Sequence, residues 1–161
     1  GSGDVPLMKS LVAALAETPQ RYVVSKGPQH AEYELAGNMV GEEFLPQVSV
    51  LPHVDLVITH GGNNTTTECL HFGKPMVLLP IFWDQHDNAQ RIDETGFGAR
   101  LPTYSFGAGD LPEAIDRLLA DRGLGARLSQ VAERLQASPG NVRAAELIEQ
   151  LAATAEPAVS S

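Results

Sequence analysis

Apolar positions along the chain alternate between two periods. Leu7, Met8, Leu11, Val12 and Leu15 recur at helical spacing behind an acidic cap candidate, Asp4, with Pro6 in the first turn and Thr18-Pro19 closing the segment. Short runs of strand character follow at 21–25, 38–44, 55–59, 75–79 and 99–101. Helical patterns lie between them: one or two turns over 47–53, a helix over 65–72 stopped by Gly73, and a helix over 88–94 stopped by Gly96. Three further helices are predicted over 111–120, 124–136 and 142–153, whereas 29–37 carries no period and reads as loop.

The runs at 55–59 and 75–79 are apolar without alternation, the signature of strands buried on both faces of a parallel sheet. Strands alternating with helices predict an α/β fold with a Rossmann-like, doubly wound parallel sheet, formed by one domain over 1–155 and followed by a disordered polar tail over 156–161. The start is unusual, because the first helix has no strand before it. Either Gly1-Ser2 is an expression scar, or the sequence opens just after the first strand of a longer protein.

Composition narrows the possible partners. The formal charge of −9 argues against sequence-independent nucleic-acid binding, which needs a basic face. It also means that a phosphate ligand must be held locally, by backbone N–H groups and helix N-termini. The single cysteine, Cys69, excludes an internal disulfide and a cysteine zinc site. No apolar run approaches the roughly 20 residues of a bilayer span, so no membrane partner is expected and the reading is cytoplasmic.

The informative chemistry lies between Asp55 and Ala89. A strand runs into His60-Gly61-Gly62, where the glycines allow a tight turn and close approach of a ligand, and then into a helix expected to begin near Asn64-Thr65. Free N–H groups at that helix start, with the side chains of Asn64, Thr65 and Thr66, form an anion site that His60 can join as a donor. Glu68 follows Asn64 by four and Thr65 by three, so the three share a helix face, and its carboxylate is placed to accept from a ribose diol. The next strand delivers Trp83-Asp84-Gln85 on a loop to the same sheet edge, where Asp84 accepts from sugar hydroxyls and Gln85 both donates and accepts. Phosphate, diol and polyol receptors on one edge describe a nucleotide sugar.

These residues carry a resemblance. Pro46-Gln47, Leu51-Pro52-His53, Thr59-His60-Gly61-Gly62-Asn63-Asn64-Thr65 with Glu68, then Gly73-Lys74-Pro75, Pro80-Ile81-Phe82, Asp84-Gln85 and Asn88-Ala89 resemble the donor signature of family 1, UGT-like glycosyltransferases. Phe44 and Asn63 stand where plant members carry Trp, and the likeness is to bacterial natural-product enzymes. The resemblance implies the C-terminal half of a GT-B fold and inverting transfer from a UDP- or dTDP-sugar to a small acceptor, with no metal and no cofactor. It assigns Gln47 to the base and ribose end, and His60, Asn64 and Thr65 to the diphosphate, with Gly61 and Gly62 also in the donor-binding set. Glu68 is assigned to the ribose, Asp84 and Gln85 to the sugar. The acceptor base would belong to an N-terminal domain, so this chain alone is expected to bind donor without transferring it.

Plainer readings stand beside these. His60 alone is also a satisfied strand-end histidine, Glu68 a surface carboxylate, and Asn64 and Thr65 helix caps. Trp83 either plugs the domain edge or faces a ligand, and His53 reads as structural. His30, His71 and His86 show no metal spacing, and no Asp-x-Asp pair offers a divalent cation site. Rival functions are a nucleotide-sugar epimerase of the same fold and a non-catalytic sugar-nucleotide-binding fragment.

Overall fold

The computed structural model describes residues 3–137 and 140–154; Gly1-Ser2 and the tail expected over 156–161 lie outside them. Helix α1, Val5–Leu15, begins where expected, because Asp4 Oδ1 accepts from the N–H of Leu7 at 3.0 Å. Strand β1 (Tyr22–Ser25) pairs in parallel with β2 (Met39–Glu42). The segment read as loop contains a single 3-10 turn, His30–Glu32. Helix α2, Gln47–Val50, runs into another 3-10 turn, Leu51–His53.

The second half alternates strictly: β3 (Val57–Thr59), α3 (Asn63–His71), β4 (Met76–Leu78), α4 (Asp84–Glu94) and β5 (Gly98–Arg100). Helices α5 (Asp110–Ala120), α6 (Arg122–Ala137) and α7 (Gly140–Thr154) complete the described chain. Strand β4 lies between β3 and β5, parallel to both. Its three residues are completely buried. Met76 and Leu78 pack with Leu51, Cys69, Ala89 and Ile92, while Val77 points to the other cluster with Ala99, Leu111, Ile115 and Leu128. Each such large apolar side chain contributes roughly 1.5–3 kcal/mol of burial. Gly98 has no room for a side chain, since a Cβ there would overlap the carbonyl of Met76 on β4.

Two expectations change. The parallel sheet is divided: β1-β2 and β3-β4-β5 are separate, because no strand among the described residues lies between β1 and β3. Helix α4 begins at Asp84, four residues before the apolar pattern predicted. Asp84 and Asp87 in its first turn suit the positive end of the helix and extend it backward past the periodic positions.

One side chain ties α1 to the first sheet. Asn38 Nδ2 donates to the carbonyls of Leu15, Thr18 and Gln20 at 2.9, 3.1 and 3.2 Å, closing the end of the helix and the turn into β1. Replacing Asn38 with Ala leaves those carbonyls without this donor. The expected cost is about 1–3 kcal/mol, read from denaturant unfolding.

Candidate functional site

Parallel pairing places the C-terminal ends of β3 and β4 side by side, with Thr59 opposite Leu78 and the N–H of Leu79 donating to the Thr59 carbonyl at 2.9 Å. The segments leaving the two strands therefore meet at one edge. After β3 the chain turns sharply. Thr59 Oγ1 accepts from the N–H of Gly61 at 3.2 Å, and Gly61 takes φ +84°. A Cβ at Gly61 would sit 3.1 Å from Leu78 Cδ2 and 3.3 Å from the Gln85 carbonyl oxygen, so the turn lies directly against α4. Asn88 Nδ2 on α4 donates to the Gly61 carbonyl at 2.8 Å and to Asn63 Oδ1 at 2.9 Å, locking the turn.

Helix α3 then starts at Asn63, one or two residues before the predicted point, with Gly62 as its N-cap. No side chain caps it. Asn64 and Thr65, offered as possible caps, instead stand in the first turn with their side chains free of that duty. The first N–H groups of α3 have no intrahelical partner by construction, so they present an uncapped positive end at the sheet edge. The His60 imidazole lies over this point: a Cβ on Gly62 would come within 2.8 Å of His60 Nε2. His60, Gly61, Gly62, Asn64 and Thr65 are thus brought together by the turn and the first helical turn. The chemistry available is that of an anion cradle.

A second group lies one turn further along α3. Gln47 Nε2 donates to Thr65 Oγ1 at 3.1 Å and to Glu68 Oε2 at 2.5 Å. Thr65 and Glu68 therefore share a helix face as their spacing predicted, and α2 brings Gln47 onto that face. The exposed amide holds the carboxylate in place while leaving Glu68 capacity to accept further bonds.

After β4 the chain passes through Pro80-Ile81-Phe82-Trp83 into α4. Gln85 is 4% exposed, and its Oε1 accepts from the N–H groups of Ile81 at 2.9 Å and Phe82 at 3.2 Å. The expectation that it offers an acceptor to a ligand needs correction, because both lone pairs of that oxygen already hold the loop. Asp84 is exposed at the start of α4 and close enough to His60 for its charge to be felt there. Trp83 does not plug the domain edge: it is 84% exposed, set edge-on against Phe82 with ring centres 5.5 Å apart, and held at φ +50°. Such a backbone is strained for a bulky residue. His53, read as structural, is exposed at the end of its 3-10 turn.

Burial of the His60 ring lowers its pKa below the ordinary 6.5, with the Asp84 carboxylate pulling weakly the other way. The shift favours the neutral imidazole at pH 7. Cys69 beneath the site is fully buried, and burial together with Glu68 pushes its thiol up to about 12, which makes it unreactive. Among the described residues no group of three His, Cys, Asp or Glu is arranged to hold a metal ion, and no helix is long and apolar enough to cross a membrane. Sequence reasoning gave no role to Asn88. Its signal was its spacing from Asp84, which sets both side chains on one face of α4, a turn apart.

The family of erythromycin biosynthesis protein CIII-like C-terminal domains matches residues 9–153. The NDP-glycosyltransferase YjiC of Bacillus subtilis (strain 168) is 31% identical over 145 residues, which are 88% of this chain and 37% of that protein. The crystal structure of the glycotransferase of kitacinnamycin superposes with a TM-score of 0.85 at 31% identity, over 92% of this chain and 40% of that one. A spinosyn rhamnosyltransferase, SpnG, solved with thymidine diphosphate, gives a TM-score of 0.74 at 26% identity, over 90% and 41%. The chain thus spans about two fifths of the length of these proteins. Its fold is the Rossmann-like C-terminal half of a GT-B glycosyltransferase.

Two outcomes are expected from this geometry. Gly61→Ala forces a side chain into left-handed backbone and against Leu78, and destabilises the chain by about 1–2 kcal/mol in denaturant unfolding. The His60 ring, followed by NMR, titrates below 6.5. The unfolded chain then binds the extra proton more readily than the folded one, so the contribution of His60 to stability is whole above pH 6.5 and is lost as pH falls through the lowered folded value. His60→Gln removes that dependence, and the variant gains stability relative to the parent as the pH is lowered from about 7 to about 5.

Proposed function

The chain belongs to the erythromycin biosynthesis protein CIII-like C-terminal domain family, and from that premise we propose that residues 1–155 form the domain that binds the nucleotide-sugar donor of a glycosyltransferase. The observation that carries this reading is the Gln47–Thr65–Glu68 cluster, one turn into a helix whose uncapped start lies beneath His60. A diphosphate at the start of α3 leaves its ribose beside Glu68, whose carboxylate accepts from the diol alongside the bond it takes from Gln47. The base extends toward Gln47. On the other side, the sugar reaches Asp84, with the amide nitrogen of Gln85 as the remaining group of that side chain.

In this reading transfer is a single displacement with inversion. The acceptor hydroxyl attacks the anomeric carbon and loses its proton to a base on an N-terminal, acceptor-binding domain, while the bond from that carbon to the diphosphate oxygen breaks. The N–H groups of α3 and the His60 imidazole take up the charge that develops on the leaving diphosphate, and the reaction asks for no metal. The acceptor is a small, natural-product-like molecule and the setting is the cytoplasm. This chain alone binds donor and does not transfer. Either UDP or dTDP suits the proposed site; the thymidine diphosphate in the spinosyn enzyme supports including the latter.

Calorimetric titration of the chain with dTDP, UDP and a sugar phosphate lacking the base tests the proposal. At least one nucleotide should bind, and Glu68→Ala should weaken it by about 1–3 kcal/mol, the range for hydrogen bonds to a charged group. Binding of the sugar phosphate with neither nucleotide, or an affinity indifferent to Glu68→Ala, overturns it.

A further inference from the structure

Exposed aromatic side chains gather at one place on the surface. Among the described residues the exposed aromatics are Phe44, Phe82, Trp83 and Tyr104, and all but Phe44 stand by the start of α1 and the exit from β4. Phe82 is 49% exposed and lines a hollow of about 500 Å3 together with Val5, Pro6, Gln29 and Ile81. Tyr104 joins the rim through Asp4, its hydroxyl donating to Oδ2 at 2.8 Å. Asp4 Oδ1 already accepts from Leu7, so the side chains of the hollow are apolar apart from this occupied carboxylate and the Gln29 amide. None of the lining residues belongs to the anion cradle or to the Gln47–Glu68 cluster.

The loop beside the hollow is held firmly. Gln85 Oε1 takes the N–H groups of Ile81 and Phe82, and the buried Thr103 hydroxyl donates to the Pro80 carbonyl. Trp83 follows with left-handed backbone, and its side chain does not cap α4. A glycine would take that backbone without strain. An indole left in water gains little burial in return for the strained conformation, so packing within this domain does not explain it. What the position supplies is a flat apolar face, edge-on to Phe82, at the rim of the hollow.

We propose that Trp83 and Phe82 are the platform on which the acceptor lies, and that the acceptor they select is a neutral, planar phenol. The proposal rests on the donor reading, because that reading sets the order of groups along the sheet edge. Displacement with inversion brings the acceptor hydroxyl to the side of the sugar away from the diphosphate. With the diphosphate at the start of α3 and the sugar at Asp84, that side is the segment just before Asp84, which is Phe82-Trp83. Aromatic rings prefer offset or edge-on partners, and two rings set nearly perpendicular offer both to a planar ligand. Asp84 and Asp87, in the turn that follows, repel an anion, so a charged acid of the same shape is selected against. The donor-binding half thus shares in acceptor choice with the N-terminal domain.

Trp83 is the single tryptophan of the chain, so its indole N–H gives an unambiguous NMR signal. The full chain is titrated separately with naphthol, naphthalenesulfonate, cyclohexanol, UDP, dTDP and UDP-glucose. Naphthol should move the indole signal and the Phe82 amide together, and leave the amides of Asn64 and Thr65 in place. The anionic sulfonate and the non-planar cyclohexanol should each bind at least about fivefold more weakly. Trp83→Gly, read at the Phe82 amide, should weaken naphthol at least about fivefold, whereas Trp83→Phe stays within about twofold of the parent. The thermal midpoint of Trp83→Gly should not fall, because glycine relieves the backbone. An indole indifferent to naphthol, equal affinity for naphthol and either comparator, or an affinity untouched by Trp83→Gly overturns the proposal. So does a lowered midpoint, which marks a packing role, or an indole signal moved by UDP, dTDP or UDP-glucose, which marks a donor contact. Nucleotide binding is read separately at Asn64 and Thr65, so failure of the donor reading shows there and failure of the platform at the indole.

Discussion

The bond from the Asn88 amide to the Gly61 carbonyl sets the position of everything at the sheet edge. Gly61 is the one residue in the turn with left-handed backbone, and its carbonyl would otherwise point into the contact with α4 unpaired. By accepting from Asn88 it fixes the distance between α3 and α4, and with it the separation of His60 from Asp84. The same amide reaches Asn63 Oδ1, so the first residue of α3 is held by the helix that follows the next strand. Two strands, two helix starts and one side chain thus behave as a unit. A ligand meets receptors that are already placed, which limits the ordering cost of binding.

Much of this was legible in residue order, and the exceptions have identifiable causes. Strands β3 and β4 were readable because continuous apolar runs bounded by Gly and Pro have few alternatives. Thr65 and Glu68 were placed on one face by spacing alone. The start of α4 was not readable from apolar period, because its first turn is Asp84-Gln85-His86-Asp87 and is set by charge and by the contact of Gln85 with the preceding loop. The role of Gln85 was hidden for the same reason. A polar side chain beside an aspartate reads as a receptor until its oxygen is seen to hold two N–H groups already. The division of the sheet belongs to tertiary structure: no strand among the described residues lies between β1 and β3.

The electrostatic design also follows from particular residues. On the proposed reading, a chain of net charge −9 binds an anion against its own field, with backbone N–H groups and an imidazole whose pKa is lowered by burial. This has a catalytic consequence. As the bond to the anomeric carbon breaks, charge grows on the diphosphate oxygen, and donors aimed at that oxygen stabilise the transition state more than the ground state. A half-buried imidazole whose pKa is lowered by its surroundings gains more as negative charge develops beside it. Fixed N–H dipoles respond the same way without reorganising. On the proposed reading, stabilisation of the leaving group therefore comes from the uncapped start of α3 together with the His60 imidazole.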